Sequence, residues 1–170
     1  MNPWYAYYTR SRAEKAAFAR LLQQGIEAFL PLYTVEKQWS DRKKRVEEPL
    51  IRGYIFARPD SHQYHAVLNT FGVVNCLWYN GKPALIPDAQ IEVLRQVMKE
   101  RMEIEPAPEL LCPGQLVTVL GGPLKGREAE LVQIAGKHKI VIRIDHIDKS
   151  LLVAISPQMV KPIARIAHTT

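Results

Sequence analysis

The strongest constraint on the fold is the segment "EIEPAPELLCPG" (103–114), because it separates two stretches with different hydrophobic patterns. It contains three prolines and several acidic residues, and its apolar residues follow no helical or strand period. Such a composition is typical of a linker. A chain of 170 residues has room for two small domains. We therefore predict an N-terminal domain over 1–102, a linker over 103–111 and a C-terminal domain over 112–170.

The predicted N-terminal domain alternates strand and helix patterns in the order β-α-β-β-α-β-α. The aromatic run "WYAYYTR" (4–10) is typical of a buried strand, and residues 11–25 change to a helical spacing that ends at Gly25. The clearest helix lies over 86–102, where Asp88 can cap a run with apolar residues on one face. These patterns predict an α+β fold in which helices flank an antiparallel sheet.

The predicted C-terminal domain has a different sequence pattern. Short β-type runs are separated by turns, and no helical pattern is present. A small five-stranded β-barrel accommodates such a series of short strands. The five runs are "QLVTVL", "AELVQI", "IVIRI", "LLVAI" and "MVKPI".

Composition limits the compartment and the class of protein. No apolar run approaches the roughly 20 residues that span a bilayer, and the start lacks the pattern of a secretory signal. Cys76 and Cys112 each stand alone, which excludes a disulfide framework or a cysteine-rich metal site. We expect a cytoplasmic protein that does not associate with membranes.

The net charge of +6 is concentrated before residue 103. Residues 1–102 carry 15 Lys and Arg against 10 Asp and Glu, whereas the remainder carries 8 against 7. A basic surface favours a polyanionic partner, although many ordinary cytosolic proteins are equally basic. Both interpretations stay open on charge alone.

No catalytic pattern is evident in the sequence. The "GGPLKG" segment lacks the spacing of a phosphate-binding loop and joins two strands, so a turn is the better interpretation. Glu47 and Glu48 are adjacent and would point to opposite faces of a strand. We expect no enzyme activity, no cofactor and no metal.

The basic segment "WSDRKKRVEEPLIRGYIF" (39–56) lies between two strand patterns. We predict a protruding β-hairpin whose stem carries Tyr54 and Phe56 and whose tip carries the basic cluster. The tip either contacts nucleic acid or is a solvated loop. The tip cluster consists of Arg42, Lys43, Lys44 and Arg45.

Aromatic residues are grouped by strand alternation. We predict that Tyr54 and Phe56 share one face, and that Trp4 and Tyr8 share another. Either both sets are core, or one of them lines a groove for a partner helix.

Two parts of the chain together resemble the NusG family of transcription elongation factors, and the resemblance covers nearly the whole chain. The C-terminal part is similar to a KOW motif. Ribosomal proteins also carry KOW motifs, so the combination of both parts in this order is the specific signal. The matching segments are "WYAYYTRSRAEK", "FLPLYTVEKQWSDRKKRVEEPLIRGYIFA", "GVVNCLWYNGKPALIP" and "PGQLVTVLGGPLKGREAELVQI".

The resemblance implies a monomeric, non-enzymatic factor that binds bacterial RNA polymerase and suppresses pausing or termination. The segment "QWSDRKKRVEEPL" looks more like specialised paralogues of the RfaH and UpxY types, which act at particular operons such as surface polysaccharide loci. The alternative is an RNA-binding or ribosome-associated KOW protein. In that case charge would concentrate in the barrel, which carries little of the excess.

The resemblance also implies roles for individual residues. Four match a pocket for the clamp helices of the polymerase, and a second group matches a surface that contacts the non-template DNA strand. The basic tip would reach toward upstream DNA. Ile147, at a barrel turn, matches an exposed contact for a ribosomal protein or for the Rho termination factor. Phe71 replaces a basic residue and is either a stacking surface or core. The pocket residues are Tyr8, Leu50, Tyr54 and Phe56; the DNA residues are Arg10, Arg20, Gln23, Gln24 and Thr70.

Overall fold

The computed structural model describes residues 2–108 and 113–163. Within them the chain forms two compact units. The first contains residues 2–95 together with 144–148, and the second contains the remaining described residues. Cys112, the linker residues 109–111 and the end of the predicted C-terminal domain (164–170) lie outside the described residues.

The first unit contains a main sheet, two small hairpins and the helices. Its strands and helices, in chain order, are β1 (Trp4–Thr9), α1 (Glu14–Gln23), β2 (Glu27–Phe29), β3 (Leu32–Gln38), β4 (Lys43–Pro49), β5 (Tyr54–Arg58), α2 (Tyr64–Asn69), β6 (Val73–Cys76), β7 (Trp78–Tyr79), β8 (Lys82–Pro83), β9 (Leu85–Ile86) and α3 (Asp88–Lys99), whose last turn enters the second unit.

The main sheet has the order β2-β5-β1-β6, and β9 also pairs with β1. All of its pairings are antiparallel. The aromatic residues of β1 favour this central strand position, where both faces are covered over most of its length. The predicted α+β architecture of this part of the chain is confirmed.

The two faces of the sheet bury different side chains. One face forms a core in which Tyr7 and Ile55 pack with Leu21 of α1 and Val67 of α2. On the other face, the guanidinium of Arg95 from α3 lies 5.2 Å from the ring centre of Trp4. Helices therefore cover both faces, and Tyr8 at the far end of β1 stays exposed.

The register of β1 and β5 corrects the predicted grouping of the aromatic residues. Tyr8 lies opposite Tyr54, and Ala6 lies opposite Phe56. Directly paired residues of antiparallel strands project from the same face. Trp4, Tyr8, Tyr54 and Phe56 therefore share one face, because the long-range register, not the alternation within each strand, decides the grouping.

The basic segment forms a hairpin that differs from the prediction. Strands β3 and β4 pair along their whole length, and the tip spans 39–42. Arg42 lies at the tip, whereas Lys43, Lys44 and Arg45 belong to β4.

Tyr54 and Phe56 are not in the stem of this hairpin but in the main sheet. The reason lies in the turn after β4. Leu50 and Ile51 of this turn are buried, so the chain enters the core after β4, and β5 begins as a strand of the main sheet.

The second unit contains a six-stranded sheet with the order β10-β14-β13-β12-β11-β15. The five β-runs predicted from the sequence are confirmed as strands. Among the described residues, no pairing of the two end strands closes this sheet into a barrel. Its strands are β10 (Ile104–Pro106), β11 (Gln115–Val119), β12 (Glu128–Ile134), β13 (Lys137–Arg143), β14 (Ser150–Ala154) and β15 (Val160–Pro162).

Strand β10 comes from the segment predicted to be linker. It pairs with β14, and its Glu105 forms an ion pair with Lys139 of β13, which is buried. Glu103 likewise pairs with Lys137 at 3.4 Å. A proline at the end of an edge strand is compatible with this pairing. The acidic residues that suggested a linker thus attach this strand to the sheet.

Candidate functional site

Tyr8 and Tyr54 form an exposed aromatic pair at the open end of the main sheet. Their ring centres are 4.9 Å apart with planes inclined at 42°. Tyr8 is 38% exposed and Tyr54 is half-buried. Burial, followed by a hydrogen bond with Tyr8, raises the pKa of Tyr54 to about 12. Tyr54 is therefore neutral at physiological pH, and its ring forms an aromatic surface with that of Tyr8.

Leu50 and Phe56, predicted to share this surface, are fully buried. The ring of Phe56 stacks with that of Phe29 at 6.3 Å between centres. Phe56 lies two residues from Tyr54 on the same strand face, further toward the covered part of the sheet. Tertiary packing places both side chains in the core, so neither lies at the surface of this structure, and their contact with the polymerase stays a prediction.

Phe71 forms a second exposed aromatic site and is 61% exposed. The guanidinium carbons of Arg10 and Arg20 lie 5.5 and 5.0 Å from its ring centre. Such distances are those of cation–π contacts. Of the alternatives for Phe71, the core is therefore excluded, and the ring stands at the surface between two positive charges.

Gly72 explains how Phe71 comes to lie beside α1. Its φ is +99°, and a Cβ there would approach the Cβ atoms of Ala13 and Ala17 to 3.2 and 3.3 Å. A residue with a side chain would therefore push the helix away. The Gly72 carbonyl also accepts a hydrogen bond from the Arg10 amide at 2.8 Å. This close approach brings the ring and both arginines together.

Thr70 does not belong to the exposed surface. It is buried, its hydroxyl donates to the Ala66 carbonyl at 2.8 Å, and it accepts from the amide of Gln24 at 3.0 Å. The hydroxyl closes the end of α2 in this structure, and the contact of Thr70 with DNA stays a prediction. Gln23, the last residue of α1, and Gln24, which follows it, are exposed.

The tip of the β3–β4 hairpin carries an aromatic residue that sequence reasoning did not single out. Trp39 is exposed, and its amide donates to the Arg42 carbonyl at 2.8 Å, which closes the turn. The ammonium of Lys44 lies 5.9 Å from its ring centre. The sequence feature that could have identified this site is a tryptophan close to four consecutive basic residues.

Ile147 is buried, with only 6% of its surface exposed, and its amide donates to the Ile144 carbonyl at 3.2 Å. The expectation of an exposed turn isoleucine is therefore wrong in this structure.

Among the described residues there is neither a metal-binding cluster nor a helix that could span a membrane. Within residues 2–108 and 113–163, no group of three or more His, Cys, Asp or Glu side chains is arranged to hold a metal ion. None of the helices described there is long and apolar enough to cross a membrane.

Comparisons with known proteins place this geometry in context. A family model described as "NusG: Transcription termination factor nusG" matches residues 2–95, more than half of the chain. A solved structure described as "Domain interaction in Thermotoga maritima NusG" has 17% identity and a TM-score of 0.62. That match covers 96% of this chain and 98% of the other, and it shows a shared fold. A structure of the MjSpt4:Spt5 complex also matches, with 13% identity over 95% of this chain and 97% of the other, but its TM-score of 0.27 supports no conclusion.

Proposed function

Because the chain belongs to the NusG family of transcription termination and elongation factors, we propose that it binds the clamp helices of bacterial RNA polymerase and suppresses pausing or termination. The observation that carries this proposal is the exposed, neutral pair Tyr8 and Tyr54 at the uncovered end of the sheet. Tyrosines offer a large apolar area with a polar edge, which makes them common anchors at protein interfaces.

A second part of the proposal concerns DNA. Phe71, between the side chains of Arg10 and Arg20, has the features of a platform on which an unpaired base of the non-template strand stacks. Aromatic stacking combined with positive charge is the usual way to bind single strands. Gln23, on the same helix as Arg20, and Gln24, which follows it, provide polar contacts.

The basic hairpin is the proposed contact with upstream DNA. Arg42, Lys43 and Lys44 are exposed and have no ion pair within the described residues, whereas Arg45 lies 3.7 Å from Glu36. Charge without hydrogen bonds to bases attracts phosphates of any sequence. This contact would add affinity and salt sensitivity rather than sequence preference.

We further propose that the protein acts at particular operons, such as surface polysaccharide loci, as the RfaH and UpxY types do. The second unit would be a KOW domain with a closed barrel. The proposed contact with a ribosomal protein or Rho lies near Ile147, in the segment 144–148 that belongs to the first unit. Since Ile147 is buried here, that contact requires a rearrangement. The alternative, a ribosome-associated RNA-binding protein, is less favoured because the charge excess and the exposed aromatic sites lie in residues 1–102.

The test is a pull-down of a polymerase clamp-helix fragment by three purified proteins. The Tyr8→Ala/Tyr54→Ala double variant should lose most binding, about a hundredfold in Kd for two interface anchors. Phe71→Ala is the matched control, since it removes an exposed aromatic ring elsewhere in the same unit and should bind as wild type. Equal retention of all three proteins would contradict the proposal.

A further inference from the structure

A cleft of about 890 Å³ with a charged lining lies in the first unit, and none of Tyr8, Tyr54 and Phe71 lines it. It is bounded by the end of β1, the start of α1, the base of the β3–β4 hairpin and the turn before β5. Lys15 of α1 is tied to the base of the hairpin, because its ammonium donates to the Glu47 carbonyl at 2.6 Å. The walls of the cleft are thus held by contacts between separate elements.

The charge of the cleft lining is positive. Four basic and two acidic side chains line it, which leaves a net charge of +2. The basic residues are Arg12, Lys15, Lys37 and Arg52; the acidic residues are Glu14 and Glu48.

Only part of this positive charge is compensated by ion pairs. Glu48 pairs with both Lys37 and Arg52, the latter at 2.8 Å, and hydrogen bonds from these two groups lower the pKa of its carboxyl. Lys15 donates to a neutral carbonyl, so its charge stays unbalanced. Arg12 has no ion pair within the described residues. Two cations thus remain for an anionic ligand.

The cleft also contains a buried hydroxyl without a partner. Thr9 is only 8% exposed, lines the cleft, and its Oγ1 makes no hydrogen bond within the described residues. Buried hydroxyls in folded proteins almost always have a partner. The oxygen itself has less than 1 Å² of accessible surface, so a ligand in the cleft does not reach it and Thr9 contributes only to the wall.

The acidic residue Glu14 does not leave a free carboxylate facing the ligand. It is buried, and its Oε1 accepts a hydrogen bond from the Gly53 amide at 2.9 Å. This contact joins α1 to the turn before β5 and offsets part of the negative charge. The cleft therefore remains more suited to an anion than to a cation.

We propose that this cleft binds a phosphate group, with Arg12 and Lys15 as the charged contacts. Guanidinium and ammonium groups are the usual charged donors for phosphate oxygens. The source of the phosphate is either the backbone of a nucleic-acid strand or free phosphate. A strand is supported by the chain order, since Arg10, which flanks Phe71, precedes Arg12 by two residues.

The experiment is a ¹H–¹⁵N NMR titration of the full chain with inorganic phosphate, and separately with an oligothymidylate, at constant ionic strength set with chloride. Both ligands should shift the amide signals of Thr9, Arg12 and Lys15. Arg12→Asn should weaken phosphate binding about tenfold by removing a charge-assisted contact. Asn suits the position because Arg12 has a φ of +62°, which Asn tolerates.

Two further variants control the result. Thr9→Val keeps the shape and removes a hydroxyl that is shielded from the cleft, and should leave phosphate binding unchanged. Lys125→Gln removes an equal charge at an exposed position of the second unit and should leave phosphate binding unchanged. If Thr9→Val fails to fold, the exposed Arg12 position decides the outcome.

The outcomes separate the two phosphate sources. Competition between oligothymidylate and phosphate for the same signals supports a strand backbone, and binding of phosphate alone supports free phosphate. Absence of shifts at the cleft with both ligands, or wild-type affinity of Arg12→Asn for both, would overturn the proposal. Because no polymerase is present, failure here is distinct from failure of the clamp-helix contact.

Discussion

Two of the exposed aromatic sites of the first unit, the Tyr8–Tyr54 pair and Phe71, differ in their neighbours. The Tyr8 ring contacts another neutral ring, that of Tyr54, whereas the Phe71 ring lies between the guanidinium groups of Arg10 and Arg20. Both sites expose the apolar surface of an aromatic ring to solvent. The surrounding charge therefore sets the partner: a neutral ring pair suits the apolar face of a helix, and a ring between cations suits a base with its phosphate.

The comparison requires first that a ring in the core, Phe56, be distinguished from an exposed ring, Phe71. Phe56→Ala should lower the free energy of unfolding by about 3–5 kcal/mol, because it removes a fully buried ring and leaves a cavity. Phe71→Ala should change it by no more than about 0.5 kcal/mol, since the ring is 61% exposed. Urea denaturation measures both. Similar losses in the two variants would show that Phe71 is part of the core.

The role of the Phe71 ring can be tested apart from its charge. Phe71→Ala should weaken binding of a fluorescent single-stranded DNA about tenfold, the effect of losing one stacked base. Phe71→Lys should retain attraction at low salt but lose affinity more steeply as salt rises. Fluorescence anisotropy at two salt concentrations measures this, with Tyr8→Ala as the control that should bind DNA like wild type. Equal weakening by Tyr8→Ala would remove the distinction between the two sites.

Much of the fold could be predicted from the sequence because its signals are local. The aromatic run of β1 and the one-sided apolar pattern of α3 are visible within a few residues, and both elements form where expected. Strand β10 could not be predicted, because its pairing with β14 and the ion pair between Glu105 and Lys139 join residues distant in sequence.

The candidate site was predictable to a smaller extent. Residue type and family resemblance selected Tyr8, Tyr54 and Arg20, which are accessible. They also selected Phe56 and Thr70, which are buried, since burial depends on register and packing rather than on residue type. The phosphate cleft was missed for the same reason: its lining comes from four separate elements.

A smaller effect tests the difference in charge between the two sites. Arg20→Gln should reduce the slope of log affinity against log salt for single-stranded DNA by about 0.7, the amount for one phosphate contact. Arg45→Gln is a suitable control because Arg45 already lies 3.7 Å from Glu36. An unchanged slope in Arg20→Gln would mean that its guanidinium supports the Phe71 ring without meeting phosphate.

The smallest effect concerns the neutrality of the tyrosine pair. Burial and the hydrogen bond with Tyr8 raise the pKa of Tyr54 from 10.0 to about 12, so the folded protein holds this proton more tightly than the unfolded chain. The resulting contribution to stability is complete below pH 10 and is lost as the pH rises toward 12. NMR of ¹³Cζ-labelled tyrosine, assigned with Tyr54→Phe, should follow this titration, and Tyr8→Phe should lower the midpoint because the hydrogen bond is lost. Titration of Tyr54 near its ordinary value would contradict the ring contact on which the comparison depends.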